Sequence, residues 1–219
     1  MEHSPFHFEW PVDQHGYTVE RRSGRDADGY GPGEFEYIHP RGGPLRFYRP
    51  LDDGGLWLRF AQTCRAREGV LQFVREYGTL RQQEDNIDHY LRVAKRLWAV
   101  AEYLEAGDRL SARSILLERR MEALPEPHMT ATILWSPDRP EIFKPAFLPD
   151  MLEDALRYQA VEAITGNRQF RRCRNQGCAN WFRRGPRAAG EGGRTYTARR
   201  EFCSDRCRVA WARRHKREP

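Results

Sequence analysis

Four of the five cysteines stand in one short stretch, Cys173, Cys178, Cys203 and Cys207, spaced C-x4-C, 24 residues, then C-x3-C. Two short-spaced thiol pairs brought together by a turn supply the four soft donors that Zn2+ takes in a tetrahedron. A site with all four positions filled by thiolate is closed, so the ion it predicts is a single structural zinc rather than a catalytic one. Two other chemistries compete for these residues. A redox dithiol would want C-x-x-C, which neither pair has. Disulfides are the less common use of clustered thiols in a reducing compartment. His215 lies eight residues past Cys207 and is too far along to join the set.

The residues between the cysteines say how the pairs are presented. Arg174-Asn175-Gln176-Gly177 can form a tight knuckle turn, with Gly177 free to adopt a positive φ. Trp181 and Phe182 begin a strand, the Gly-rich GPRAAGEGG is a loop, and TYTARREF (195–202) is expected to return as the second strand of a hairpin. Ser204 follows Cys203 as an N-cap, which places Cys207 in the first turn of a helix through Val209, Ala210 and Trp211. Knuckle, hairpin and ligand-bearing helix together describe a treble clef.

The same stretch is strongly basic. Residues 168–219 carry 16 Arg/Lys against 4 Asp/Glu, net +12, which leaves 21 against 27, net −6, in residues 1–167. An acidic body with a basic end is the asymmetry of a chain that meets a polyanion at one end. Only Lys95, Lys144 and Lys216 among the 37 basic residues are lysine; codon bias accounts for arginine replacing lysine but not for its concentration at one end. The guanidinium fork suits phosphate because it donates two parallel hydrogen bonds. The candidate nucleic-acid contacts are Arg171, Arg172, Arg174, Arg183, Arg184, Arg199, Arg200, Arg206, Arg208, Arg213, Arg214, Lys216 and Arg217. The competing reading is a solvated basic surface, or one that grips an acidic protein.

In Arg171, Arg172, Cys173, Cys178, Trp181, Phe182, Phe202, Cys203, Ser204, Cys207 and Arg208 the tail resembles the bacterial CGNR zinc-finger family, over roughly 50 of 219 residues. It departs from that family in lacking the Cys-Gly-Asn-Arg tetrad, since Cys207 is followed by Arg208-Val209-Ala210, and in the tighter last pair. The resemblance implies a bacterial protein with a role in DNA binding and transcriptional regulation.

The elements that position the tail follow from periodicity. Residues 1–55 read as short strands, with HPRGGP as a hairpin connection between EFEYI and LRFYR and residues 20–34 as a mobile loop. His3, His7, His15 and His39 lack ligand spacing. Val70, Phe73, Val74 and Tyr77 step as a helix stopped by Gly78, and the face from Ile87 through Leu104 predicts a long helix ending at Gly107. Asp108 caps a further helix carrying Leu110, Leu117, Met121 and Leu124. HMTATILWSP and PEIFKPAF predict strands, and Pro149-Asp150 is expected to open a last body helix ended by residues 165–167. Cys64 is read as a small buried hydrophobe. The expected fold is α+β: residues 1–167 form a body, β-rich over 1–55 and mainly helical over 56–167, followed by the zinc module at 168–219.

Composition narrows the function. With 39% apolar residues the chain can bury a core, and no run of about 18 apolar residues is present to span a membrane. MEHSPFHFEW shows no basic segment followed by an apolar one, so the expected compartment is the cytoplasm. No nucleophile elbow, phosphate loop, dinucleotide turn or H-E-x-x-H helix occurs, so no enzyme is predicted. Glu84, Asp85, Asp88 and His89 are read as helix capping rather than an acid–base group. Two functions are carried forward: a cytoplasmic zinc-containing nucleic-acid-binding regulator, DNA rather than RNA, or a protein-interaction module with a purely structural finger. In both, the body senses a ligand, binds a protein or self-associates.

Overall fold

A computed structural model describes residues 8–25, 32–53, 55–81, 85–117, 129–136, 139–165, 169–175, 178, 181–184 and 201–215. The elements are β1 (Trp10–Asp13), β2 (Tyr17–Arg25), β3 (Pro32–Pro40), β4 (Leu45–Tyr48), α1 (Leu56–Thr63), α2 (Arg67–Tyr77), β5 (Asp85–Asn86), α3 (Ile87–Ala106) and α4 (Arg109–Leu117). They continue with β6 (Met129–Ser136), β7 (Arg139–Pro149), α5 (Leu152–Thr165), β8 (Gln169–Arg172), β9 (Trp181–Arg184) and α6 (Asp205–His215). The chain is a mixed helix and strand protein with its first strands at the N-terminal end. Its sheets are small and antiparallel: β1–β4, β2–β3–β5, β6–β7 and β8–β9.

The core is mainly helical, joined by Trp10 of β1 and Ile38 of β3. Trp57 and Phe60 of α1, Phe73 of α2, Tyr90 and Leu97 of α3, and Leu152 and Leu156 of α5 are all essentially withdrawn from water. Phe60 and Phe73 meet edge to face at 5.0 Å, a geometry that adds to the burial of both rings. Gln159 of α5 is buried with both ends of its amide used. Its Oε1 accepts from the Trp57 backbone N–H at 3.1 Å, and its Nε2 donates to the carbonyls of Pro50 and Asp53, each at 2.8 Å. It thereby fixes the start of α1 against α5. Cys64 is buried just past α1, and burial pushes its thiol pKa up, in keeping with a packing role.

Helix starts and stops follow their local residues. Gly107 ends α3 in the left-handed region at φ 82°, and the Asp108 carboxylate accepts from the Ser111 backbone N–H at 3.0 Å at the start of α4. Met121 and Leu124 lie outside the described residues. Gly69, in the first turn of α2, has a different reason to be glycine: a Cβ there would stand 1.8 Å from the Thr63 carbonyl oxygen. Alanine normally stabilises a helix relative to glycine. Gly69→Ala is expected to do the opposite and cost about 2 kcal/mol or more, because the obstacle is backbone. A urea midpoint equal to or above that of the unsubstituted chain would contradict this.

Three strand expectations need correction. HPRGGP does not join a hairpin: β3 pairs with β2 and β5, whereas β4 pairs with β1. The Asp13 carboxylate, at the end of β1, accepts backbone N–H bonds from His15, Gly42 and Gly43 and so steers the chain from one sheet to the other. Residues 20–34 are not all loop, since β2 runs through Arg25 and β3 starts at Pro32. Their charges pair across the ladder, with Arg21 opposite Glu36 at 3.4 Å, and Arg67 of α2 joins Glu36 at 2.7 Å. Finally, β7 continues through Pro149, so Leu148 belongs to a strand and α5 opens at Leu152.

Candidate metal centre

The two halves of the cysteine cluster are built by separate local devices. β8 and β9 pair antiparallel, from Gln169 opposite Arg184 to Arg172 opposite Trp181, so the chain must reverse between Cys173 and Cys178. The Cys178 backbone N–H donates to the Asn175 carbonyl at 2.7 Å, closing that reversal as a turn. Gln176 and Gly177 lie outside the described residues. On the other half, the Ser204 carbonyl accepts from Arg208 N–H at 3.2 Å and its hydroxyl accepts from Cys207 N–H at 3.3 Å. Ser204 is therefore the cap of α6, and Cys207 sits in its first turn.

A backbone bridge joins the halves: Arg174 N–H donates to the Glu201 carbonyl at 3.0 Å, and their side chains pair at 2.6 Å. Arg174 also lies over the Trp211 ring at 4.9 Å, while Phe202 packs on Trp211 at 5.6 Å. The knuckle is thus closed onto the helix by a small aromatic core.

The result is a tight thiol cluster. The four sulfurs of Cys173, Cys178, Cys203 and Cys207 all lie within 4.8 Å of one another, with Cys203 3.5 Å from both Cys178 and Cys207. A tetrahedron with Zn–S arms of about 2.3 Å has edges of about 3.8 Å, whereas a disulfide needs about 2.05 Å. All four thiols are free. The geometry is that of a metal-binding site, and the donor set fits Zn2+. Among the described residues no other group of His, Cys, Asp and Glu comes together in this way.

Hydrogen bonds bias the thiols before any metal arrives. The Ser204 hydroxyl first, then Cys203 and more weakly Asn175, draw the Cys207 thiol down to about 6, so it favours thiolate at neutral pH. Burial first, then the neighbouring thiols, push Cys203 up to about 12. Asn175 is itself buried at 6% exposure, so the knuckle touches the helix-borne ligand through a side chain withdrawn from water.

The candidate phosphate contacts are not equivalent. Arg171, Arg172, Arg174, Arg206, Arg208, Arg213 and Arg214 are exposed. Arg208 also pairs with Asp205 at 3.3 Å. Arg183 and Arg184 belong to β9. Arg199, Arg200, Lys216 and Arg217 lie outside the described residues, as do residues 195–200 of the expected returning strand; among the described residues β9 pairs with β8. Arg172, though exposed, is engaged by the body. It lies against both Trp98 of α3 and Trp181, 4.9 and 5.2 Å from the two ring centres, and pairs with Glu102 and Glu105 at 3.7 and 3.8 Å. Trp98 and Trp181 meet edge to face at 6.0 Å, and Arg65 also lies over Trp98, 4.5 Å from its ring centre. The finger is therefore clamped to α3.

A second polar cluster escaped the reading of the sequence. The capping assigned to Asp85 and His89 is corrected: Asn86 caps α3, accepting from Asp88 N–H at 2.8 Å. Asp85 and His89 are instead buried, His89 against α5. His89 Nε2 meets Glu153 at 2.8 Å, Glu153 pairs with Arg157, and Arg81 reaches Glu153 at 3.8 Å. Tyr90 donates to Asp85 at 2.9 Å and accepts from Leu80 N–H at 2.9 Å. Glu153 and Arg157 are four apart, a spacing that reads locally as an ordinary surface helix pair. Burial would raise the Glu153 carboxyl, but His89, Arg157 and Arg81 together hold it at about 2. Opposite charges offset one another throughout this cluster, which clasps α3 to α5.

Among the described residues no helix is long and apolar enough to cross a membrane. No protein-family model matches the chain, and no curated protein matches it.

Proposed function

We propose that this chain is a zinc-stabilised nucleic-acid-binding protein, a cytoplasmic regulator of bacterial type that acts by binding rather than by catalysis. The observation that carries the reading is the attachment of α6 to the thiol cluster through Cys207 while Arg206, Arg208, Arg213 and Arg214 remain exposed on it. One zinc held by Cys173, Cys178, Cys203 and Cys207 would fix the start of α6, and the treble-clef arrangement would present its arginines as a rigid set. In this reading the acidic body holds the finger by the Arg172 clamp and leaves its basic surface outward.

Full-length zinc-loaded protein titrated against labelled random duplex DNA and RNA over a salt series tests this. Six to eight phosphate contacts predict a log–log slope of about −5 to −7 on duplex DNA. Absence of binding at low salt, or affinity indifferent to salt, would overturn the reading.

The alternative, a finger that serves only as a structural support for protein docking, draws on a specific observation. Arg172 and Arg174, two of the candidate contacts, are spent on Trp98, Trp181, Trp211 and Glu201. The same titration separates the two, because an apolar docking surface does not weaken steeply with salt.

A further inference from the structure

The exposed side of α6 is not uniformly charged. The helix turns Cys207 and Trp211 inward, to the thiol cluster and to Phe202. On a helical wheel at 100° per residue, Arg206 and Arg213 fall about 20° apart and about 100–160° round from Cys207 and Trp211, and Val209 lies within about 60° of both. Both arginines are exposed, and Val209 is 42% exposed between them. Ala210 and Ala212 add little bulk beside this ridge. A lone surface valine carries no meaning; one set between two arginines on a narrow ridge does. Phosphate offers a valine side chain nothing, so a surface meant only for the backbone has no use for it.

We propose that this ridge enters the major groove of duplex DNA and contacts base edges, an assignment that rests on the nucleic-acid reading above. Arg206 and Arg213 supply forks suited to guanine O6 and N7, and Val209 an apolar contact for the thymine methyl group. The groove of B-form DNA is about 12 Å wide and admits one helix of about 10–12 Å diameter. The deep, narrow major groove of A-form RNA does not admit it, so the ridge selects DNA. Arg208 and Arg214 flank the ridge and fall to the phosphates on either side. Asp205, the acidic side chain on this side, is held by Arg208 at 3.3 Å, which blunts its repulsion of the backbone.

The test is selection from a random duplex DNA library with the full-length zinc-loaded chain, followed by titration of the selected and random duplexes with two variants. Arg213→Lys keeps the charge but loses the fork, and Val209→Ser removes the apolar contact; both sites are exposed, and zinc content checks that each variant is intact. The expected result is an enriched site containing guanine and thymine. Arg213→Lys should weaken that site roughly tenfold or more while leaving random duplex nearly unchanged, and Val209→Ser should relax the preference for thymine at one position. Equal weakening of selected and random duplex, no enriched site, or equal binding to duplex RNA would overturn the groove assignment and leave phosphate binding standing. Failure to bind any nucleic acid at low salt would remove both.

Discussion

Cys203→Ser is expected to reduce bound zinc from one per chain to near zero and to unfold the finger while the helical body stays folded. Cys203 is the sulfur that touches both halves of the cluster, 3.5 Å from Cys178 and 3.5 Å from Cys207. Losing it leaves three donors and removes the sulfur contact between the knuckle and α6. Structural zinc contributes about 10–16 kcal/mol in isolated finger peptides, far more than the small contact of Phe202, Trp211 and Arg174 can replace. Metal analysis together with hydrogen exchange checks both halves of the prediction: fast exchange over β8, β9 and α6, with unchanged protection over α1, α2 and α3. Full zinc stoichiometry in the variant would sink the four-thiolate site.

The second large effect belongs to the body. Glu153→Gln is expected to cost about 3–5 kcal/mol at pH 7, because His89 and Arg157, both buried, would lose the carboxylate they share, while Arg81 keeps Asp85 at 4.0 Å. In a chain of this size that is a fall in Tm of roughly 6–20 °C. Zinc content should not change. The pH dependence has a definite sign. Glu153 is held at about 2 in the folded chain against 4.5 ordinarily, so its stabilisation is complete above about pH 4.5 and is lost as pH falls toward 2. Asp85 runs the other way: burial raises it from 3.8 to about 6, so its ionisation takes stability away as pH rises through that interval. Glu153→Gln should therefore flatten the acid limb of the stability profile and leave the change between pH 4 and 6 in place. Calorimetry at a series of pH values reads both, and an unchanged acid limb would refute the role given to Glu153.

What the sequence disclosed were features written locally. The face from Ile87 to Leu104, the stop at Gly107, the caps at Asp108 and Ser204 and the four cysteines each depend on residues within a turn or two. Partnerships across the chain left no such mark. His89 and Glu153 are 64 residues apart, and nothing near Asp85 distinguishes a buried ion cluster from a helix cap. EFEYI and LRFYR look like two arms of a hairpin because alternation reports which face is buried, not which neighbour a strand chooses. Asp13 made that choice, from 29 and 30 residues away, by accepting the N–H groups of Gly42 and Gly43. In the finger, the arginine pattern showed a basic surface but could not show that Arg172 had been taken up by Trp98, a residue of another element.

Helix α3 carries His89 and Tyr90 near its first turn and Trp98, Glu102 and Glu105 in its last half. His89 and Glu102 are thus separated by about 20 Å of continuous helix. A helix of this length behaves as a stiff rod, so its two ends cannot move independently. A tilt of about 5° at the Glu153 end would shift Trp98, about 13 Å further along the helix, by about 1 Å, and with it the surface on which Arg172 rests. The aim of the finger is in this sense a lever reading of how α3 is seated on α5.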